Sequence, residues 1–142
     1  MSDFTTQDLE FYKFGNRDTT SPFVRVADAT ISQRTQLAQS RPSDSNAVSV
    51  FSVSSGDVYI IATIVICNTT ANDETYRIFH DLNGTTYDET TALFYDATIR
   101  SYSSQFVEIF LAMDNSSGNL AVRSSTGSAL TFTLYGAKYK AL

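Results

Sequence analysis

The chain has no tryptophan, one cysteine, one histidine and two prolines in 142 residues. A single cysteine excludes an intramolecular disulfide and any thiolate-based metal site. Cys67 lies inside an apolar run, where burial suppresses the thiolate, so it reads as a small core hydrophobe. Cations are scarce too: 10 Lys and Arg stand against 15 Asp and Glu, for a net charge of −5. Binding to a phosphate backbone needs clustered cations, so nucleic acid is not an expected partner. The longest apolar run, residues 59–67, is far shorter than the ~20 residues of a membrane-spanning helix. The opening MSDFTTQDLEFYKFG has neither a basic nor an apolar leader region, which predicts a protein made in the cytoplasm and not bound to membrane. Phosphate-cradling glycine motifs and the G-x-S-x-G nucleophile turn are missing.

What the chain does have is serine, threonine and asparagine on an apolar framework. Only 18% of residues are charged, while 42% are hydrophobic. Polarity carried by hydroxyls and amides marks an all-β protein. From residue 47 the sequence is a succession of strand-like segments: 47–53, 57–68, 75–82, 92–99, 106–113, 119–125 and 129–139. The stretches between them are rich in Gly, Asn, Asp and Ser, which suit turns. Asn83-Gly84 predicts a tight type I′ hairpin turn. Short strands without interleaved helices predict an antiparallel β-sandwich, of jelly-roll or immunoglobulin-like type, over residues 47–142.

Residues 1–46 read differently. This stretch holds both prolines, few aliphatics, and a cluster of aromatics and arginines: Phe4, Phe11, Tyr12, Phe14, Arg17, Phe23, Arg25 and Arg34. Within it, ATISQRTQLAQ suits either a short helical turn or a strand. A segment this long without its own core, carrying residue types favoured at contact surfaces, predicts an extended N-terminal arm laid on a partner.

Two strands lack a water face. YIIATIVIC (59–67) is apolar almost throughout, with alternating sets Tyr59/Ile61/Thr63/Val65 and Ile60/Ala62/Ile64/Ile66. In 106–113, Phe106, Phe110 and Ala112 fall on one side and Val107, Ile109, Leu111 and Met113 on the other. Each sheet of an isolated sandwich has one solvated side, so a second apolar face needs a cover. Tyr59, Ile61, Val65, Val107, Ile109 and Leu111 are therefore the candidate oligomer-interface residues.

Catalytic chemistry has little to stand on. His80 is followed by Asp81, but a sequence neighbour on a strand points to the opposite face. Asp81, Asn83 and Asp88 superficially suggest a calcium loop without the EF-hand spacing. The N-x-[ST] sequons at Asn68, Asn83 and Asn115 are chance products of a Ser/Thr-rich chain. No enzyme activity, cofactor or metal is expected.

The order of features from VYIIATIVICNTTANDETYRIFHDLNGTTYDETTALFYDATI to GNLAVRSSTGSALTFTLYGAKY resembles small β-sandwich virion proteins of tailed bacteriophages. These are capsid decoration or cement proteins and related tail and baseplate modules. The carriers of the likeness are the apolar strand ending in CNTT, the NGTTYD turn, the LFYD strand and the closing TFTLYG hairpin, over about residues 57–139. The resemblance implies a structural protein without enzymatic activity, a homotrimer on the capsid surface of the virion. It is made in the host cytoplasm and its partner is the major capsid protein. The alternative it allows is a tail or baseplate module that recognises host-surface glycans through loop tyrosines Tyr87, Tyr95 and Tyr102.

Overall fold

The computed structural model describes residues 35–139. Eight strands follow one another: β1 Thr35–Ser40, β2 Val48–Phe51, β3 Val58–Asn68, β4 Glu74–Asp81, β5 Ala92–Ile99, β6 Ser104–Met113, β7 Asn119–Ser124 and β8 Leu130–Tyr139. All seven segments predicted after residue 47 form, within two residues at either end. Their pairing is that of a long hairpin rolled upon itself. β1 pairs with β8, β2 with β7, β3 with β6 and β4 with β5, all antiparallel. Two further pairings, β3 with β8 and β4 with β7, complete two sheets ordered β1-β8-β3-β6 and β2-β7-β4-β5. This is the eight-stranded jelly roll, which decides between the two sandwich types.

The boundary between arm and sandwich lies earlier than composition indicates. Strand β1, inside the stretch read as arm, hydrogen-bonds along β8 and turns Ala38 toward the core. The following loop is tied down as well. Ser128 N donates to Pro42 O at 2.8 Å, Arg123 Nε donates to Ser45 O at 2.6 Å, and a side chain at Gly127 would run into the Ser43 carbonyl. Residues 35–46 thus belong to the sandwich. The arm contacts expected at Phe4, Phe11, Tyr12, Phe14, Arg17, Phe23, Arg25 and Arg34 lie outside the described residues.

The core fills the space between the sheets. β3 and β8 contribute Ile61, Ile64, Ile66, Phe132 and Leu134, and β4 and β7 contribute Tyr76, Ile78, Leu120 and Val122. Fully burying side chains of this size stabilises by about 1.5–3 kcal/mol each. Tyr76 and Phe132 meet edge to face across the layers, with centroids 6.3 Å apart.

A bulge explains how β3 can be so apolar. Ile61 pairs with Gly136 and Thr63 with Tyr135, so Ala62 has no partner of its own on β8. The extra residue shifts the side-chain phase by one position. Tyr59 and Ile61 face inward before it, and Ile64 and Ile66 face inward after it. Neither alternating set read from the sequence survives intact. The outward set is Ile60, Thr63, Val65 and Cys67, so the half-buried Cys67 lies on the outer face and not in the core where its apolar neighbours place it by sequence.

Asn83-Gly84 does not make the expected type I′ turn, which requires φ > 0 at both central residues. Neither residue has a positive φ, and β4 and β5 are joined by the longer loop 82–91. Gly84 is needed for a different reason: a Cβ there would come 2.9 Å from the Asp81 carboxylate. The loop folds back over the second sheet, setting Tyr87 against the outward-facing Phe79 at 6.1 Å.

Candidate functional site

The groups that sequence reading marked for chemistry are occupied with building the fold. Asp81 accepts from Thr86 N at 2.8 Å and Asn83 N at 3.1 Å, and these bonds hold its carboxyl below the usual range. Asp88 likewise accepts from Thr90 Oγ1 at 2.6 Å and Thr90 N at 2.8 Å. Both carboxylates are turned onto their own loop. Among the described residues, no group of three or more His, Cys, Asp or Glu is placed to hold a metal ion. His80 sits at the end of β4, partly buried, and desolvation pushes its imidazole below the ordinary value. The sequon residue Asn68 is 1% exposed and engaged on both ends of its amide, which leaves no access for a glycan.

The three loop tyrosines do not share a surface. Tyr87 precedes β5 and Tyr102 follows it, so they lie at opposite ends of a strand about 26 Å long. Tyr95 lies mid-strand under the Arg77 guanidinium, 3.7 Å from its ring centroid, and donates to Glu89 at 2.8 Å.

The outer faces of the two sheets differ in electrostatics. On β2-β7-β4-β5, Arg77 and Arg123 stand directly opposite each other, a repulsive pair. Asp96 resolves it. It occupies a bulge opposite Arg77 with φ 55°, and its carboxylate takes two bonds from Arg77, at 2.7 and 2.9 Å. Arg123 Nη1 lies 3.9 Å from the same carboxylate. The Arg77 contact, first by hydrogen bond and then by charge, holds the Asp96 carboxyl below its usual range and Arg77 above its own. The charges of this face are paired with one another, and Leu93 and Tyr95 of β5 stand exposed beside them.

The β1-β8-β3-β6 face is open. Its outward strand positions run Gln36 and Gln39 on β1, then Thr131, Thr133 and Tyr135 on β8. Beside them on β3 come Ile60, Thr63, Val65 and Cys67. At the edge strand β6 stand Phe106 and Phe110, 69% and 64% exposed. Between them is Glu108, whose Oε2 accepts from Thr63 Oγ1 at 3.4 Å. Glu108 is the one charged side chain among these strand positions. The face thus carries an exposed aromatic pair beside Glu108, with the Arg41 guanidinium reaching Thr131 Oγ1 at 3.4 Å, and exposed aromatics of this kind are enriched at contact surfaces.

Most of the predicted interface residues face the other way. Ile61 is fully buried, Val107 is 7% exposed, and Ile109 and Leu111 pack against the same core. Tyr59 also turns inward, meeting Phe51 edge to face at 5.1 Å. Of the six, only Val65 lies on the outward face, opposite Phe106. From Phe106 onward the exposed positions of β6 are Phe106, Glu108, Phe110 and Ala112. Glu108 is the sequence signal for this side, since it falls in phase with Phe106 and Phe110 and a charge marks the wet side of a strand. A second bulge sharpens this exposure: Phe110 takes φ 47° where β6 carries an extra residue opposite Ala62.

Searches against protein-family models, curated proteins and solved structures return no match for this chain.

Proposed function

We propose that this chain is a structural protein of a tailed-phage virion, a capsid decoration or cement protein. In this role it sits on the shell as a homo-oligomer and binds the major capsid protein through its arm and sandwich. The observation that carries the reading is the open β1-β8-β3-β6 face, with Phe106 and Phe110 projecting from its edge. A sandwich whose other face pairs its own charges, and whose tyrosines are dispersed, offers a contact plane more readily than a ligand pocket. Shell stabilisation fits such a surface, because symmetry multiplies contacts that are individually weak. The phage assignment and the trimer come from the resemblance of residues 57–139, and the interface argument is independent of both.

The deciding measurement is quantitative mass spectrometry of purified virions. Decoration of the shell requires a copy number in fixed proportion to the major capsid protein. A copy number matching the tail or baseplate would transfer the protein to the alternative role, and absence from the particle would end the virion reading. The direct companion test is co-sedimentation of the purified full chain with undecorated capsids.

A further inference from the structure

Asn83-Gly84 is the one Asn-Gly pair in the chain. It lies in the loop 82–91 between β4 and β5, where Asn83 is exposed. The peptide group that joins the two residues consists of the Asn83 carbonyl and the Gly84 N–H. Among the described residues, neither of these groups has a hydrogen-bond partner, and nor does the Asn83 side-chain amide. What is fixed lies on either side of that peptide. Asn83 N donates to Asp81 Oδ1 at 3.1 Å, and Gly84 O accepts from Asn119 Nδ2 at 3.0 Å. The peptide plane between these anchors can turn without breaking either bond.

We infer that Asn83 is a site of spontaneous deamidation, whose only co-reactant is water. The Gly84 nitrogen gives its proton to solvent and attacks Asn83 Cγ, and the new N–Cγ bond closes a five-membered imide. The Cγ–Nδ2 bond breaks, and Nδ2 takes up a proton from water and leaves as ammonia. A water molecule then adds to one of the two imide carbonyls. Opening at Cγ leaves aspartate. Opening at the backbone carbonyl leaves isoaspartate, in which the main chain runs through Cγ. Gly84 favours the attack because no side chain shields its nitrogen and its backbone turns freely. The inference goes beyond the structural-subunit reading and does not rest on it.

The other described asparagines lack this combination. Asn68 is buried with both ends of its amide engaged. Asn119 donates to Gly84 O and accepts from Ser49 Oγ at 2.7 Å. Asn115 Oδ1 accepts from Ser117 N at 2.8 Å. Asn46 and Asn72 are followed by Ala47 and Asp73, whose side chains crowd the attacking nitrogen. The reaction also has a structural consequence. Either product places a new carboxylate beside Asp81, whose oxygens already accept from Asn83 N and Thr86 N. The isoaspartyl form further inserts a methylene into the main chain between the two anchors. The Asp81 bonds and the Asn119 bond cannot then all be kept. The loop that sets Tyr87 against Phe79 loosens, while the strands keep their pairing.

The test is to age the full chain in warm, mildly alkaline buffer and to map its peptides by mass spectrometry over several weeks. A synthetic peptide of residues 79–89, aged alongside, shows that the conditions suffice for the chemistry. The Asn83 peptide should gain the mass of an amide-to-acid exchange and separate into two products, one of them a substrate for isoaspartyl methyltransferase. Its rate should exceed that of every other asparagine by at least about tenfold, which corresponds to about 1.4 kcal/mol of barrier. A smaller margin, or an intact Asn83, overturns the inference. Asn83→Gln should stop the reaction, because glutamine would have to close a larger and slower-forming ring. An acidic species that still accumulates in Asn83→Gln at the wild-type rate places the chemistry elsewhere and also overturns it. The aged form, separated by ion exchange through its added negative charge, should show faster hydrogen exchange at the Thr86 amide, which Asp81 holds in the native loop. Unchanged exchange at Thr86 refutes the loosening.

Discussion

At the scale of single residues, Asn68 bears the most structural weight for its size. Its Nδ2 donates to the carbonyls of Asn72 (2.8 Å), Arg100 (3.1 Å) and Ile99 (3.3 Å), and its Oδ1 accepts from Thr70 N and Oγ1. One buried amide thus ties the end of β3 to the turns after β3 and β5. Asn68→Ala leaves the Ile99 carbonyl and two part-buried carbonyls without their donor, so a loss of about 2–4 kcal/mol is expected by urea unfolding. A loss below about 1 kcal/mol would show that water replaces the amide. His80 gives a pH signature. Burial pushes its imidazole below the ordinary 6.5, against the opposing pull of Asp81. The unfolded chain therefore takes up a proton before the folded chain does, and stability falls as pH drops through that value. Carboxylates with lowered folded values, such as Asp81 and Asp96, lose their contribution only further down, as pH falls through the ordinary carboxylate range near ~4. The urea midpoint of the wild type should therefore decline from about pH 7.5 to about pH 5, and His80→Gln should flatten that decline. Equal slopes for both proteins would remove His80 as the cause.

At the scale of elements, the bulges decide which residues are inside, and they are what the sequence conceals. Periodicity located the strands because a two-residue repeat is a local property of the chain. Strict alternation through Ala62 puts Ile61 and Val65 on one face, whereas the bulge puts them on opposite faces. The inserted residue shows only in the partner strand's register. Glycine placement follows from the same bulge. A Cβ at Gly136 would collide with the Ile60 carbonyl where β3 crowds β8, so Gly136→Ala should cost about 2–4 kcal/mol. A near-neutral Gly136→Ala variant, measured by thermal and urea unfolding, would mean that the strands separate easily at this point. Phe110 presents the opposite case. Its left-handed backbone, φ 47°, costs a non-glycine residue about 1–2 kcal/mol, and its ring is largely exposed. Phe110→Gly relieves that strain while giving back some chain entropy. Stability should hold or rise by about 1 kcal/mol, as read by thermal and urea unfolding. A clear fall in stability would mean that the ring is packed within the monomer.

At the scale of the whole molecule, the point at which the sandwich begins matters most for dissecting its function. Composition placed the change at residue 46 because β1 is polar. TQLAQS offers little apolar periodicity, and only its ladder with β8 identifies it as a strand. The jelly-roll pairing gives that ladder a structural duty. β1 covers the edge of β8, Arg41 reaches back to Thr131 Oγ1 and Ser128 O, and the linked loop seats against Gly127. Deletion of residues 1–34 should therefore leave a sandwich that unfolds cooperatively at a temperature close to that of the full chain. Deletion of residues 1–40 takes away a whole edge strand and exposes the backbone of β8, so it should lower the melting temperature by at least about 10 °C or abolish folding. Attachment to capsids is then interpretable only in the shorter deletion. If the variant lacking residues 1–34 remains folded yet no longer co-sediments with capsids, attachment belongs to the first 34 residues. Undiminished co-sedimentation of that variant would assign attachment to the sandwich itself.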